Sequence, residues 1–499
     1  MTELPPHVRV AVIGSGFAGI GTAVQLKRRG IEDFVLIERA DSVGGTWRDN
    51  TYPGCACDVP SHLYSFSFAP NPDWSHVYSR QPEIRAYLEK VTDDFGVRPH
   101  LHTGTDLISG RWDDEALLWH LTTSRGDLTA DVVVSGCGGL VEPAYPDVTG
   151  VETFQGPAFH SARWDHDADL AGKRVAVIGT GASAIQFVPE LQRTAGEVLL
   201  FQRTPPWILP RLDRAYTESR KELLRRHPAV QKTFRSGQYW FREGNLLAFT
   251  RGGTIRALAE KQARRHLAAQ VRDPELRVVL TPDYAIGCKR VLVSNDFYPA
   301  VTQPNVRVVT TGITEVRPHG VVDGDGVEHK VDAIVYGTGF HVMDIPVAHR
   351  LTGREGRTLS QEWGVSGAEA HRGTSVAGFP NLFLLLGPNT ALGHSSVVFM
   401  IEAQIAYVMD ALAALDRYDA GSLEVRRAAQ QAYNAALQEQ LATTVWNSGG
   451  CRSWYRDDRG KNFTLWPTHT FRFRALTARL DAEAYELRGR TAPRQEELV

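Results

Sequence analysis

The residues with the plainest chemical meaning are two glycine-spaced turns, each following a run rich in β-branched residues. The first reads Val10-Ala11-Val12-Ile13-Gly14-Ser15-Gly16-Phe17-Ala18-Gly19, and the second Val175-Ala176-Val177-Ile178-Gly179-Thr180-Gly181-Ala182-Ser183-Ala184. In such a unit the first glycine permits a tight turn and the second lets the backbone close on a pyrophosphate at a helix N-terminus. The third allows helix and strand to pack closely, and alanine is tolerated there. The strands that follow end in opposite charges. Phe34-Val35-Leu36-Ile37-Glu38 ends on a carboxylate, which accepts hydrogen bonds from a ribose 2′-hydroxyl and repels a 2′-phosphate. Glu197-Val198-Leu199-Leu200-Phe201-Gln202-Arg203 ends on a guanidinium, which can pair with that phosphate. The first turn is therefore expected to hold FAD and the second NADP(H). Thr180, Ala182, Ser183 and Gln186 would lie along the second pyrophosphate, with Thr204 beside Arg203 at the 2′-phosphate.

Such turns need parallel strands and crossover helices behind them. The fold class expected is α/β, two Rossmann-like dinucleotide-binding domains (FAD and NADP) with a helical insertion. Residues 1–145 would form the first segment of the FAD domain and 146–335 the NADP domain with a Pro- and Gly-rich linker. Residues 336–499 would complete the FAD domain and carry the C-terminal region. The glycine runs Gly136-Cys137-Gly138-Gly139 and Gly337-Thr338-Gly339 mark the two crossings. From about 211 to 275 the spacing is helical and rich in Arg and Lys, which is expected to present a solvated face. The polar end, from Arg488 to Val499, is expected to be frayed.

The 499 residues carry a formal charge of −2, which gives no reason to expect nucleic acid or an anionic membrane as a partner. The first residues lack a basic segment followed by an apolar one, and the longest apolar runs look strand-sized, so a cytoplasmic enzyme, monomeric or weakly self-associating, is expected. Five scattered cysteines, Cys55, Cys57, Cys137, Cys288 and Cys451, suit reduced thiols acting as small buried hydrophobes. No His/Cys cluster has zinc spacing, and no metal is expected.

Between the two turns lies Phe154-Gln155-Gly156-Pro157-Ala158-Phe159-His160-Ser161-Ala162-Arg163-Trp164-Asp165. Phe154, Gly156, His160, Trp164 and Asp165 in this spacing, between two dinucleotide turns, resemble the fingerprint of type I Baeyer–Villiger monooxygenases, a group of the flavin-containing monooxygenases. Other stretches carry the same resemblance. Thr46 and Trp47, then Tyr52-Pro53-Gly54-Cys55-Ala56-Cys57-Asp58 and Tyr64, are similar to segments lining the flavin, with Asp58 at the place of the active-site aspartate. Lys289-Arg290 resembles the family's Lys-Arg pair, and Cys451-Arg452-Ser453-Trp454-Tyr455 the loop that closes over NADP, which gives Trp454 a cofactor-side role. Ala56 and Tyr336 depart from residues common among relatives.

The resemblance implies an FAD- and NADPH-dependent enzyme that converts ketones to esters or lactones with O₂ through a C4a-peroxyflavin, with sulfide oxygenation as a side activity. Arg290 would stabilise the negative peroxide, Asp58 would orient Arg290, and Lys289 would assist at the NADP phosphate. The alternative is an N- or S-oxygenating flavin monooxygenase, against which Trp164 and the Lys289-Arg290 pair argue.

Overall fold

The computed structural model describes residues 3–489 except 251 and 343. Its first sheet is built around the strand His7–Ile13, which pairs in parallel with Phe34–Ile37 on one side and Gly126–Ser135 on the other. Val10, Ala11 and Val12 are fully buried, as expected of a central parallel strand covered on both faces. An antiparallel meander, Leu107–Asp113 and Leu118–Thr123, extends the sheet beyond Gly126–Ser135. Leu382–Leu384, far along the chain, also pairs in parallel with Gly126–Ser135. The first sheet is thus completed by residues that follow the second.

The second sheet is parallel throughout, in the order Val306–Val309, Glu197–Phe201, Arg174–Ile178, Ala333–Tyr336, Ala158–His160. Its last strand comes from the stretch that reads as linker. Proline and glycine flank Ala158–His160 but leave its three residues free to pair, and Ile334, Val335 and Tyr336 take them up in register.

The two crossings are built alike. Gly136 lies against the first phosphate turn and Gly337 against the second. A Cβ on Gly14, at φ +92°, would come within 3.1 Å of the Gly136 carbonyl oxygen; one on Gly179, at φ +107°, within 2.5 Å of that of Gly337. Both positive φ values and both close approaches require glycine.

The insertion is helical, with Glu218–Arg226, Pro228–Thr250, Gly253–Gln270 and Pro274–Val279. Its basic residues are not all solvated. Arg235 reaches the His62 carbonyl and, at 3.1 Å, the Ser65 hydroxyl, and Arg242 reaches the carbonyl of Asp58. Helical periodicity finds the apolar stripe but does not say which arginines at its border meet another part of the chain.

The helix Val397–Arg417 is long and apolar enough to span a membrane, yet it is mostly buried inside the protein, packed against the first-domain helix Phe17–Arg28. It is a longer apolar element than strand-sized runs suggest, because Glu402, Gln404 and Asp410 break the run in sequence while the helix is buried as one element. The Gln404 amide, fully buried, accepts from the Leu386 N–H and donates to the carbonyls of Gly373 and Leu384, so its polarity is satisfied.

Near the end of the chain, Ala420–Val425 pairs with Tyr485–Gly489, and Arg488 is part of that ladder. Its order contradicts fraying there, since the ladder holds its backbone. Residues 490–499 lie outside the described residues.

Candidate active site

Each phosphate turn opens a helix N-terminus into one shared cavity of about 1320 Å³. Neither helix, Phe17–Arg28 or Ala184–Gln192, has an acidic residue in its first turn or a side-chain cap. The partial positive charge and unpaired N–H groups there are left for an anion from outside the helix. Gly16 and Gly181 face open space: a Cβ on Gly16 would come no nearer than 3.8 Å to any atom, and one on Gly181 no nearer than 4.0 Å. A dinucleotide pyrophosphate fits both turns on this ground. Gly19 does not line the cavity. A Cβ there would sit 1.8 Å from the Gly14 carbonyl oxygen, so its place is at the helix-strand contact.

Glu38 is buried at the end of its strand and lines the cavity. One oxygen accepts from the Ser15 N–H at 2.9 Å and the Ser15 hydroxyl at 2.8 Å; the other accepts from the Ala40 N–H at 3.0 Å and meets Arg48 at 3.0 Å. The carboxylate is therefore clamped to the phosphate turn itself. Among these partners only the Ser15 hydroxyl rotates freely enough to yield its place to a ribose hydroxyl.

At the second turn Thr180, Ala182 and Ser183 line the cavity, and the Thr180 hydroxyl donates to the Thr204 carbonyl at 3.2 Å. Arg203 lies exposed at the rim. Lys289 is close enough that burial and then the charge of Arg203 lower its pKa, with Asp283 opposing. Two cations thus converge at the cavity edge, as a phosphate requires.

Gln186 lines the same cavity, but its amide is spent on the flavin-side loop. Its oxygen accepts from the Tyr52 hydroxyl at 3.1 Å and the Ala56 N–H at 3.2 Å, and its nitrogen donates to the Ala56 carbonyl at 3.0 Å. This side chain bolts the helix of the second turn to the loop that carries Asp58, rather than lying free along a pyrophosphate.

Thr46, Trp47 and Tyr64 lie on the first turn's side of the cavity, where the Trp47 indole donates to the Tyr64 hydroxyl at 3.1 Å. Deeper in, Arg290 and Asp58 form an ion pair, with Nη2 at 2.6 Å and Nε at 3.0 Å from Oδ2. Burial alone would raise the Asp58 pKa, but the charges of Arg290 and Arg242 outweigh it and hold the carboxyl below its ordinary value. The charge of Asp58 in turn raises the Arg290 pKa further. Tyr455 stands near the pair and is fully enclosed, its hydroxyl pushed up to about 12 by burial.

The five fingerprint residues lie outside the cavity lining. His160 ends the edge strand of the second sheet, fully buried, with edge-on contacts to Tyr145 and to Phe340 beyond the Gly337 crossing. Its Nδ1 accepts from the Ala162 N–H at 3.1 Å, and burial pushes its pKa down to about 4, so the ring is neutral. Trp164 packs on Phe187 of the second turn's helix and on Phe159. Phe154 packs beside the strand Ile313–Arg317, and a Cβ on Gly156 would strike the Asp332 carbonyl at 2.4 Å. Asp165 is exposed and caps the Asp167 N–H. The motif packs the edge of the second sheet and its helix and, through His160, the segments at the two crossings.

One cysteine expectation is overturned. Cys288 and Cys451, 163 residues apart in sequence, form a disulfide; Cys55, Cys57 and Cys137 are free. No sequence spacing signals a pair so distant, and it is tertiary docking that brings them together. The Ala285 N–H donates to the Gly449 carbonyl at 3.1 Å, and a Cβ on Gly449 would lie 2.6 Å from that of Cys288. The bond ties the residue before Lys289-Arg290 to the loop whose Arg452, Ser453 and Trp454 line the cavity.

Comparison with known proteins agrees with this geometry. The flavin-binding monooxygenase-like family profile matches residues 7–230. A Baeyer–Villiger monooxygenase of Streptomyces coelicolor is 54% identical over 494 residues, covering 99% of this chain and 95% of that protein. The chain belongs to the Baeyer–Villiger monooxygenases. A second member of the family, from Pseudomonas aeruginosa, is 53% identical over 483 residues, covering 96% of this chain and 92% of that protein. Among solved structures, cyclohexanone monooxygenase from Rhodococcus sp. Phi1 bound to NADP+ superposes with a TM-score of 0.86 at 28% identity, over 97% of this chain and 100% of that one. The OTEMO complex with FAD and NADP gives a TM-score of 0.86 at 25% identity with the same coverage.

Proposed function

We propose that this chain oxygenates ketones to esters or lactones, with FAD at the Gly14 turn and NADPH at the Gly179 turn, and that Arg290 and Asp58 are its reacting pair. The observation that carries the reading is the placement of the Arg290–Asp58 pair, with one guanidinium edge left open, in a cavity shared by both turns. When bound, FAD takes a hydride from NADPH and passes the electrons to dioxygen, one atom of which enters the product.

The chain's residues supply the rest. Arg290, always charged, faces the cavity and stabilises negative charge as it develops on oxygen at the reacting centre. Asp58 orients that guanidinium through Nε and Nη2 and moderates its charge. Arg203, Lys289 and Thr204 select the 2′-phosphate, while Glu38 holds the other adenosine by its ribose. Trp454 and its loop cover the cavity and exclude water. Gln186 keeps the two nucleotide sides in register.

Within this reading the chain divides at about 145 and 335, the second domain carrying the helical insertion. The finer expectations of a sulfoxidation side activity, a cytoplasmic location and a monomeric or weakly associating enzyme belong to the same proposal. The test is incubation of the FAD-loaded protein with NADPH, air and a panel of linear and cyclic ketones, followed by product analysis. Esters or lactones are expected. Oxygenation of amines or sulfides alone would favour the N- or S-oxygenating alternative.

A further inference from the structure

The loop that carries Asp58 is held from two sides. Arg290 takes the carboxylate, and Arg242, on the insertion helix Pro228–Thr250, donates from Nη2 to the Asp58 main-chain carbonyl at 2.9 Å. The neighbouring residue fixes the helix that presents Arg242. Glu243 is buried, and its carboxylate accepts from the Thr470 N–H at 2.9 Å and the Thr470 hydroxyl at 2.7 Å, beside His469 at 3.2 Å and His394 at 3.3 Å. His394 belongs to the loop that follows the cavity-lining residues Gly387, Pro388 and Thr390. Two successive residues of one helix therefore reach the acid's loop and the loop that carries His394.

We propose that Arg242 is a positioning residue for Asp58: it ties the acid's loop to the helical insertion and fixes the carboxylate where Arg290 meets it. The proposal rests on the reading of Arg290 and Asp58 as the reacting pair. A main-chain carbonyl is a suitable handle, because holding it sets the loop without competing for the carboxylate. The charge of Arg242 also lowers the Asp58 pKa, after that of Arg290. Around Asp58 the tyrosines, Cys57 and Arg290 do not change state on the acid side of neutrality; the other titratable groups nearby are Asp213, 4.0 Å from Arg211, and Glu243 with His394 and His469 beside Arg242. Burial raises the pKa values of Tyr52, Tyr64, Tyr78, Tyr455 and Cys57, and Arg290 stays charged. An acid limb that moves when the charge at Arg242 is removed and returns in Arg242→Lys is the one assigned to Asp58, whose pKa that charge lowers.

The experiment uses the full-length, FAD-loaded enzyme and the variants Arg242→Met and Arg242→Lys. In Arg242→Met the yield of ester per NADPH should fall by about tenfold, the scale of one lost charge-assisted hydrogen bond, with the electrons appearing as hydrogen peroxide. Its acid limb should move to higher pH, because an Asp58 that has lost a neighbouring cation protonates sooner as pH falls. Arg242→Lys, which keeps the charge, should hold the limb near that of the wild type and recover most of the yield. A melting-temperature difference between wild type and Arg242→Met should be largest near neutral pH and narrow as pH falls through the Asp58 titration. Wild-type yield and limb in Arg242→Met would overturn the proposal, as would a lysine variant no better than methionine. If the wild type itself makes no ester, the functional reading fails; the melting difference then still decides Arg242, and one that does not vary with pH removes it from Asp58.

Discussion

Arg290 sets two of its three nitrogens on a single carboxylate oxygen of Asp58, Nη2 at 2.6 Å and Nε at 3.0 Å. Among the described residues no protein acceptor meets the third, Nη1, while the side chain lines the cavity. The pair is thus anchored on one edge and open on the other. An arginine needed only for structure would gain by using its whole fork, whereas one that must meet charge arising during a reaction gains by keeping an edge in reserve.

Removing that edge should separate the two halves of the reaction. Arg290→Ala should still be reduced by NADPH, more slowly than the wild type, while ester formation falls by roughly 10²–10³-fold, the range for loss of one oxyanion donor. Rapid-mixing measurement of flavin reduction, beside product per NADPH consumed, checks the split. Undiminished ester yield would take Arg290 out of the mechanism.

Coenzyme choice should rest on the rim cations. Arg203→Ala removes a phosphate contact worth about 1.5–3 kcal/mol, so NADPH should bind roughly 10- to 100-fold more weakly while NADH changes little. Titration of the oxidised enzyme with NADP+ and NAD+ measures this directly. Equal losses for both would place Arg203 in a role other than phosphate recognition.

The two glycines of the first turn should fail in different ways. A methyl group on Gly16 meets open cavity, so Gly16→Ala should fold and lose FAD. On Gly19 it strikes the Gly14 carbonyl oxygen at 1.8 Å, so Gly19→Ala should lose FAD and also about 1–3 kcal/mol or more of stability. FAD content and the melting temperature of the apoproteins tell the two apart. A Gly19→Ala protein as stable as Gly16→Ala would contradict the packing described.

Thiol counting tests the link between Cys288 and Cys451. Denatured without reductant, the protein should present three thiols, and after reduction five. Cys451→Ser should weaken NADP+ binding and leave FAD content unchanged, since the loop it frees lines the cavity beside Lys289. Five thiols in the unreduced, air-exposed protein would contradict the pairing.

The parts of this site that are legible in sequence are those whose causes are local. A phosphate turn needs Gly14 and Gly16 within a few residues of a strand, and the charge that selects between adenosines comes just past the end of the next strand, as Glu38 and Arg203 do. The family fingerprint is legible as a pattern but not in its work. His160 and Trp164 are legible only as members of that pattern, and the structure packs them against Tyr145, Phe340 and Phe187, outside the cavity lining. What sequence does not reveal is which distant groups meet. Gln186 lies where a pyrophosphate contact is expected, but the Tyr52-to-Ala56 loop takes its amide. Arg242 is one of many arginines in a helix and differs from them only by reaching Asp58. Cys451 finds Cys288 because the intervening fold docks their loops, and no spacing rule encodes that.

The most direct test of the account is isotopic. The FAD-loaded enzyme, a ketone it turns over, NADPH and ¹⁸O₂ should give an ester carrying one labelled oxygen, the inserted one, with the carbonyl oxygen of the ketone retained. The Arg290→Ala variant under the same conditions should consume NADPH and yield labelled hydrogen peroxide in place of ester. An unlabelled ester, or NADPH oxidation that gives only peroxide with every ketone in the wild type, would contradict the assignment.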